Sequence, residues 1–128
     1  MIPGVISGIL RGSPVDCTLG TQVRDFMHIA DVAEALVGLV DRDVEGAVNI
    51  GTGIGVSLRT VVESIIARLG GAEYVRFGAL PMRSGDPSHL VADPTRLQRE
   101  VGVTPRYSLQ QGIDDTVGRW RAAVAGNQ

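Results

Sequence analysis

Two arginines, Arg24 and Arg83, are the residues whose type and setting best fit ligand chemistry. Neither sits where a helix dictates its position, and each has an aspartate close by, Asp25 and Asp86. A guanidinium presents a planar fork of donors that matches phosphate oxygens, so two of them converging from separate loops would clamp a diphosphate. Composition and spacing alone favour the plainer alternative, two solvated surface ion pairs of little energetic consequence.

Other chemistry-bearing residues read more blandly. Gly51-Thr52-Gly53-Ile54-Gly55 lies between a strand-like run and a helix, the setting of a dinucleotide-binding turn. That fingerprint places its third glycine three residues after the second, where Val56 stands, and Glu73, near the usual acidic offset, precedes its strand. The loop therefore reads as a tight connection between strand and helix. His28 and His89 are the only histidines, and two without a third ligand make no metal site. His28 reads as a packed strand residue and His89 as a loop residue. Cys17, with no histidine near it in sequence, reads as a small buried apolar group, and Trp120 as core.

The elements that must carry these residues follow from periodicity and caps. Ile2, Val5, Ile6, Ile9 and Leu10 share one helix face, with Pro3 in the first turn and Gly12 as the stop. Residues 15–19 and 23–29 are strand-like, separated by a turn at Gly20. Asp31 and Glu34 form a capping-box pattern, opening a helix whose face carries Val32, Leu36, Leu39 and Val40. Residues 47–50 read as a short buried strand. Ser57 then caps a helix lined by Leu58, Val61, Val62, Ile65, Ile66 and Leu69 and ended by Gly70-Gly71. A strand at 74–77 precedes an irregular loop running to about Leu90. Asp93-Pro94 starts a short helix that Gly102 stops, and Ser108 with Gln111 opens a closing helix carrying Leu109, Ile113, Thr116, Val117, Trp120 and Val124. The alternation predicts an α/β arrangement with at least one parallel pair, few short strands and about five helices. A parallel strand such as 46–50 needs neighbours on both edges and cover on both faces, so the sheet is expected to be incomplete.

Composition bounds the function. The 128 residues, 44% hydrophobic, are enough for one domain with its own core. Twelve basic against 14 acidic residues leave a net charge of −2, without the basic excess that nucleic acid would require. Every basic residue is arginine; lysine is absent, which removes all amine chemistry. One cysteine excludes an intrachain disulfide and fits a reducing cytoplasm. The apolar start lacks a basic leader and cleavage site, and no apolar run approaches the roughly 20 residues a bilayer needs. A soluble, cytoplasmic protein is the expectation.

The run Gln22-Val-Arg24-Asp25-Phe26-Met-His28-Ile-Ala-Asp31-Val-Ala-Glu-Ala resembles the extended short-chain dehydrogenase/reductase family, the NAD-dependent epimerase/dehydratases. Val48-Asn49-Ile50-Gly51-Thr-Gly53 with Val56-Ser57-Leu58 is similar to a second family signature. Arg83-Ser-Gly85-Asp86 with Ala92-Asp93-Pro94, Leu97, Gly102-Val-Thr-Pro105 and Leu109-Gln-Gln-Gly112 resembles a third. The resemblance implies that residues 1–128 form the C-terminal, nucleotide-sugar-binding portion of a Rossmann-type enzyme. It also implies that Arg24 and Arg83 contact the diphosphate and that Asp86 reaches the ribose. The family's amino-terminal Gly-x-x-Gly-x-x-Gly turn has no counterpart here. Nor has its Tyr-x-x-x-Lys pair, because Gly78 and Gln111 stand four residues after Tyr74 and Tyr107. The expectation is thus a portion inactive by itself, binding no cofactor alone, with NAD or NADP in the complete enzyme. Its partners would be a nucleotide-diphosphate sugar and the missing Rossmann half, or another chain whose sheet this one completes.

Overall fold

Pro3 in the first turn and Gly12, whose φ is 64°, bracket the first helix as the apolar spacing predicts. In the computed structural model, which describes residues 1–125, this helix is α1, Ile2–Leu10. There follow β1 (Val15–Cys17), β2 (Val23–Asp25), α2 (Ile29–Val40), β3 (Gly55–Ser57) and α3 (Leu58–Leu69). A 3-10 turn at Ala72–Tyr74 leads into β4 (Val75–Phe77), then β5 (His89–Leu90), a π-helical stretch at Leu97–Val101, and α4 (Leu109–Ala125). The chain divides into two units. The first takes Met1–Gln22, Ser57–Ser88 and the chain from Ile113; the second takes Val23–Val56 and His89–Gly112.

In the first unit β1 and β4 pair in parallel, Val15 opposite Val75 and Cys17 opposite Phe77. Helix α1 packs on α3, burying Val5, Ile6 and Ile9 from one and Val61, Val62 and Ile65 from the other. Each such aliphatic side chain contributes roughly 1.5–3 kcal/mol relative to exposure. A Cβ on Gly8 would overlap the Val15 side chain, so glycine is what lets α1 lie directly on β1. Ser57 caps α3 as expected, its Oγ accepting from Thr60 N at 3.1 Å.

In the second unit β2 is the middle strand of the order β3-β2-β5 and runs parallel to β5, Val23 opposite His89 and Arg24 opposite Leu90. Its core is Ala35, Leu97, Val101 and Val103, with Met27, Leu39, Val44, Val48 and Ile50 packed around them. Gly38 faces Val101 and Val103 where a Cβ would come within 2.9 Å of the former, so α2 approaches this core closely. The box at the closing helix is present: Ser108 N donates to Gln111 Oε1 at 2.9 Å and Gln111 N to Ser108 Oγ at 3.3 Å.

The α/β class and the parallel pairs stand, but several elements differ from their sequence reading. Residues 26–29 do not continue β2, because α2 already begins at Ile29. Its cap is His28, in extended geometry, whose Nδ1 accepts from Ala30 N at 3.3 Å. Asp31 cannot be the cap, since it lies in the first helical turn, turned inward and 1% exposed. The buried face is consequently Asp31 and Ala35, while Leu36 and Val40 of the expected stripe are 52% and 85% exposed. Residues 47–50 form no ladder; Val48 and Ile50 are half-buried, and Ala47 O instead accepts from Arg96 Nη1 at 2.7 Å. Tyr74 belongs to the 3-10 turn rather than to β4. The expected loop residue His89 starts β5, and Gly55 starts β3. Two- and three-residue strands carry too little periodicity to be read from sequence.

Candidate functional site

Arg83, Asp86 and Gln22 line a cleft of about 1000 Å³ in the first unit. Its walls include Gly4 and Gly8 of α1, Val15, Asp16 and Cys17 of β1, and the apolar Val62, Phe77, Leu80 and Pro81. Phe77 is held flat by Arg59, whose guanidinium lies 3.9 Å over the ring while its Nε donates to Leu19 O at 3.2 Å. Arg83 and Asp86 share one turn, Asp86 N donating to Arg83 O at 3.3 Å. They are not the ion pair that spacing favoured. The Asp86 carboxylate accepts from Gln22 Nε2 at 3.2 Å, and the Arg83 side chain makes no hydrogen bond or ion pair among the described residues. A cleft with one apolar wall, one guanidinium and one carboxylate can hold a ligand combining a flat ring, an anionic group and hydroxyls.

Arg24 belongs to the second unit, on β2, where its Nη1 donates to Val23 O at 2.8 Å. Its neighbour Asp25 is not a solvated counter-ion. Oδ1 accepts from Thr52 Oγ1 at 2.5 Å, and Oδ2 accepts from Gly53 N at 2.9 Å and Ala92 N at 3.4 Å. Thr52 N lies 3.0 Å from both oxygens. The carboxylate thereby organises the whole glycine loop. A Cβ on Gly51 would stand 2.7 Å from Asp25 Oδ2, and one on Gly53, at φ 77°, 3.0 Å from Pro94. The three glycines make a tight connection, as read from the sequence, and the N–H groups of Thr52 and Gly53 are directed at Asp25.

A second polar cluster in the same unit joins residues the sequence did not connect. The His28 ring stacks on Tyr107 with centroids 4.0 Å apart. Tyr107 N donates to Asp31 Oδ2 at 3.0 Å, and Arg106 bridges Glu34 at 2.6 Å and Asp31 at 3.7 Å. This ties the entry of α4 to the first turn of α2. The geometry is structural, and it explains why Asp31 is buried without being a cap.

Gln22 is the site residue that residue-type reasoning missed. At 4% exposure it is, with Asp31, one of two buried polar residues among the described residues. An amide draws attention from neither charge nor motif, and its partner lies 64 positions away. Cys17, half-buried in the cleft wall, has its thiol pKa pushed above the ordinary 9.0 by burial and then by Asp16 beside it. That matches its reading as a packed group. No helix among the described residues is long and apolar enough to cross a membrane.

Comparison with known proteins finds relatives of similar sequence and fold among nucleotide-sugar enzymes. A family model described as GDP-mannose 4,6 dehydratase matches residues 1–116. UDP-glucose 4-epimerase of Rhizobium meliloti is 32% identical over 117 residues, covering 87% of this chain and 34% of that protein. The solved UDP-glucose 4-epimerase of Thermotoga maritima with UDP-glucose superposes with a TM-score of 0.88 at 26% identity, over 96% of this chain and 40% of that one. MoeE5 in complex with UDP-glucuronic acid and NAD gives a TM-score of 0.84 at 34% identity, over 95% and 41%. The chain thus spans about a third of the length of the curated relative from Rhizobium and about two fifths of the solved structures.

Proposed function

This chain belongs to the GDP-mannose 4,6 dehydratase family, within the NAD-dependent epimerase/dehydratases, and from that premise we propose that it is the substrate-holding portion of a nucleotide-sugar epimerase, dehydratase or reductase. Arg83 takes a phosphate of the diphosphate and Asp86 accepts from ribose hydroxyls; Arg24 is proposed separately as a guanidinium for an anionic group. The observation that carries this reading is the Arg83 side chain without a hydrogen-bond or ion-pair partner among the described residues, on the wall of a cleft with an apolar face. A solvent-facing arginine beside an aspartate three residues away would ordinarily pair with it; a ligand anion gives the pairing that is absent.

Binding energy spent on the diphosphate orients the sugar, which is how a site remote from the chemistry serves catalysis. The residues of this chain do not fit a nicotinamide dinucleotide. The loop at 51–55 already directs two of its N–H groups at Asp25, and no lysine exists to partner a tyrosine. We assign NAD or NADP, and with it the reaction, to the part of the complete enzyme beyond this chain. Relatives bound to UDP-glucose, or to UDP-glucuronic acid with NAD, support that assignment.

Titration calorimetry with UDP-glucose tests the reading. Saturable binding by the wild type that Arg83→Ala removes supports it, and no binding, or equal binding by both, overturns it. A second reading, a module that completes another chain's sheet, is favoured by one observation. Residues 47–50 have strand-like content yet form no ladder among the described residues, in the unit where Ile29, Leu36, Val37 and Val40 of α2 are exposed. Co-purification of a separate cofactor-binding chain would select it.

A further inference from the structure

Arg59 stands in the first turn of α3, where the partial positive charge of the helix N-terminus disfavours a cation. What holds it there lies outside the helix. Arg59 N donates to Gly20 O at 2.9 Å and its Nε to Leu19 O at 3.2 Å, so main chain and side chain grip the same two residues beyond β1. Gly20 permits the approach, since its φ is 74° and a Cβ there would lie 2.8 Å from Arg59 N. Nη1 meets Glu63 at 3.5 Å, but with the two side chains 42% and 55% exposed this surface pair contributes little. Fixed at Nε, the guanidinium carbon comes to rest 3.9 Å from the centroid of the Phe77 ring.

Phe77 is the last residue of β4 and lies opposite Cys17 of β1, and the chain turns directly after it at Gly78, whose φ is 79°. The ladder fixes its backbone and leaves the ring free to rotate. A phenyl ring has no hydrogen bond to hold it, whereas a cation over its face does, because the attraction is to the face and is lost when the edge turns toward the charge. Phe77 borders the cleft and Arg59 is not among the residues that do, so the cation approaches the ring from outside the cleft. We propose that Arg59 is a positioning residue that holds the Phe77 ring as a platform on which the planar base of the nucleotide stacks. This deepens the nucleotide-sugar reading and rests on it. The cation behind the ring also draws negative charge from the face it leaves open, so the platform favours a neutral aromatic ring over a second cation. Arg83, on the wall of the same cleft, engages the other end of the ligand.

The ratio of two dissociation constants, measured by calorimetry, tests the inference. 5,6-Dihydro-UDP keeps the diphosphate, the ribose and the hydrogen-bonding edge of UDP, but its base is saturated and puckered and stacks poorly. The wild type is expected to bind UDP about fivefold more tightly than 5,6-dihydro-UDP, the size of one aromatic contact. Arg59→Gln keeps a donor for Leu19 O without the charge and brings the ratio toward one, while Arg59→Lys, whose ammonium can reach the same ring, retains most of the preference. Phe77→Leu abolishes the preference, and adding Arg59→Gln to it changes the ratio no further. A merely structural Arg59 would weaken both ligands by one factor and leave the ratio unchanged, which overturns the proposal. Arg59→Ala carries the same test if Arg59→Gln does not fold. Equal binding of the two ligands by the wild type, lost together in Arg83→Ala, would remove the platform and leave the functional reading intact. Binding of neither ligand would remove that reading, and the platform with it.

Discussion

Asp25 secures Thr52 by three hydrogen bonds, two from the backbone N–H at 3.0 Å and one from the hydroxyl at 2.5 Å, across 27 residues of chain. Through this contact a strand-end aspartate, adjacent to the arginine proposed to bind diphosphate, sets the shape of the glycine loop. Asp25→Ala leaves the N–H groups of Thr52 and Gly53 without their acceptor. The expected cost is about 2–3 kcal/mol in urea unfolding, whereas Asp25→Asn, which still accepts, costs less. Equal costs for the two would contradict the role given to the carboxylate.

Asp31 and Glu34 make a contrasting pair on α2. Both meet Arg106, but Asp31 is 1% exposed and accepts from Tyr107 N, while Glu34 is 45% exposed in a surface pair. Asp31→Ala is expected to lower stability by about 2 kcal/mol, and Glu34→Ala by less than about 0.5 kcal/mol. If the capping box of the sequence reading were real, Glu34 would matter as much as Asp31, and chemical denaturation of the two variants separates the cases.

Gly20 and Gly85 have nearly the same left-handed φ, 74° and 79°, but different surroundings. A Cβ on Gly20 meets the α3 backbone at 2.8 Å, and one on Gly85 meets nothing within 4 Å. Gly85→Ala therefore costs only the backbone penalty, about 1 kcal/mol, while Gly20→Ala adds an overlap with α3 and exceeds about 2 kcal/mol. Thermal melts of the two variants, side by side, check the difference.

Arg24 and Arg83 are each proposed to contact an anionic group. Each alanine substitution should weaken UDP-glucose binding by about ten- to a hundredfold, the range of a charge-assisted contact. If a guanidinium contributes by charge, raising the salt concentration weakens the wild type more than the variant that lacks it. An Arg24→Ala protein that binds as tightly as the wild type would remove Arg24 from the site.

Cys17 tests the electrostatics of the cleft wall. Its thiol pKa stands above 9.0 through burial and then Asp16, so alkylation by iodoacetamide at pH 8 should be slower than for free cysteine, and Asp16→Asn should speed it. Because the folded pKa is raised, this thiol's contribution to stability is complete below the unfolded value and is lost as pH rises through the folded one. Urea midpoints should accordingly fall above pH 9.0 in the wild type and less so in Cys17→Ala.

Helices α1, α3 and α4 were legible because the interactions that start and stop them join residues at most four apart. Ser57 with Thr60 and Ser108 with Gln111 are such pairs, and both are as read. The same rule misled at α2, where the Asp31–Glu34 spacing mimics a box. A partner 76 positions away, Tyr107, claims the Asp31 carboxylate, and His28 takes over the cap. Residues 47–50 have strand-like content but no strand beside them among the described residues. A ladder is a property of two segments, and one segment's composition cannot guarantee the other.

The order of side chains along the polypeptide was enough to determine the family, the α/β class, the ends of α1, α3 and α4 and the candidate arginines, since these depend on residue type and short-range spacing. Tertiary structure alone decided what the acidic and amide groups do: Asp25 faces the glycine loop, Asp31 faces Tyr107, and Gln22 donates to Asp86. The physical reason is that a polar group leaving water must bond with whatever the fold brings to it. That neighbour comes from remote parts of the chain, where local spacing carries no information.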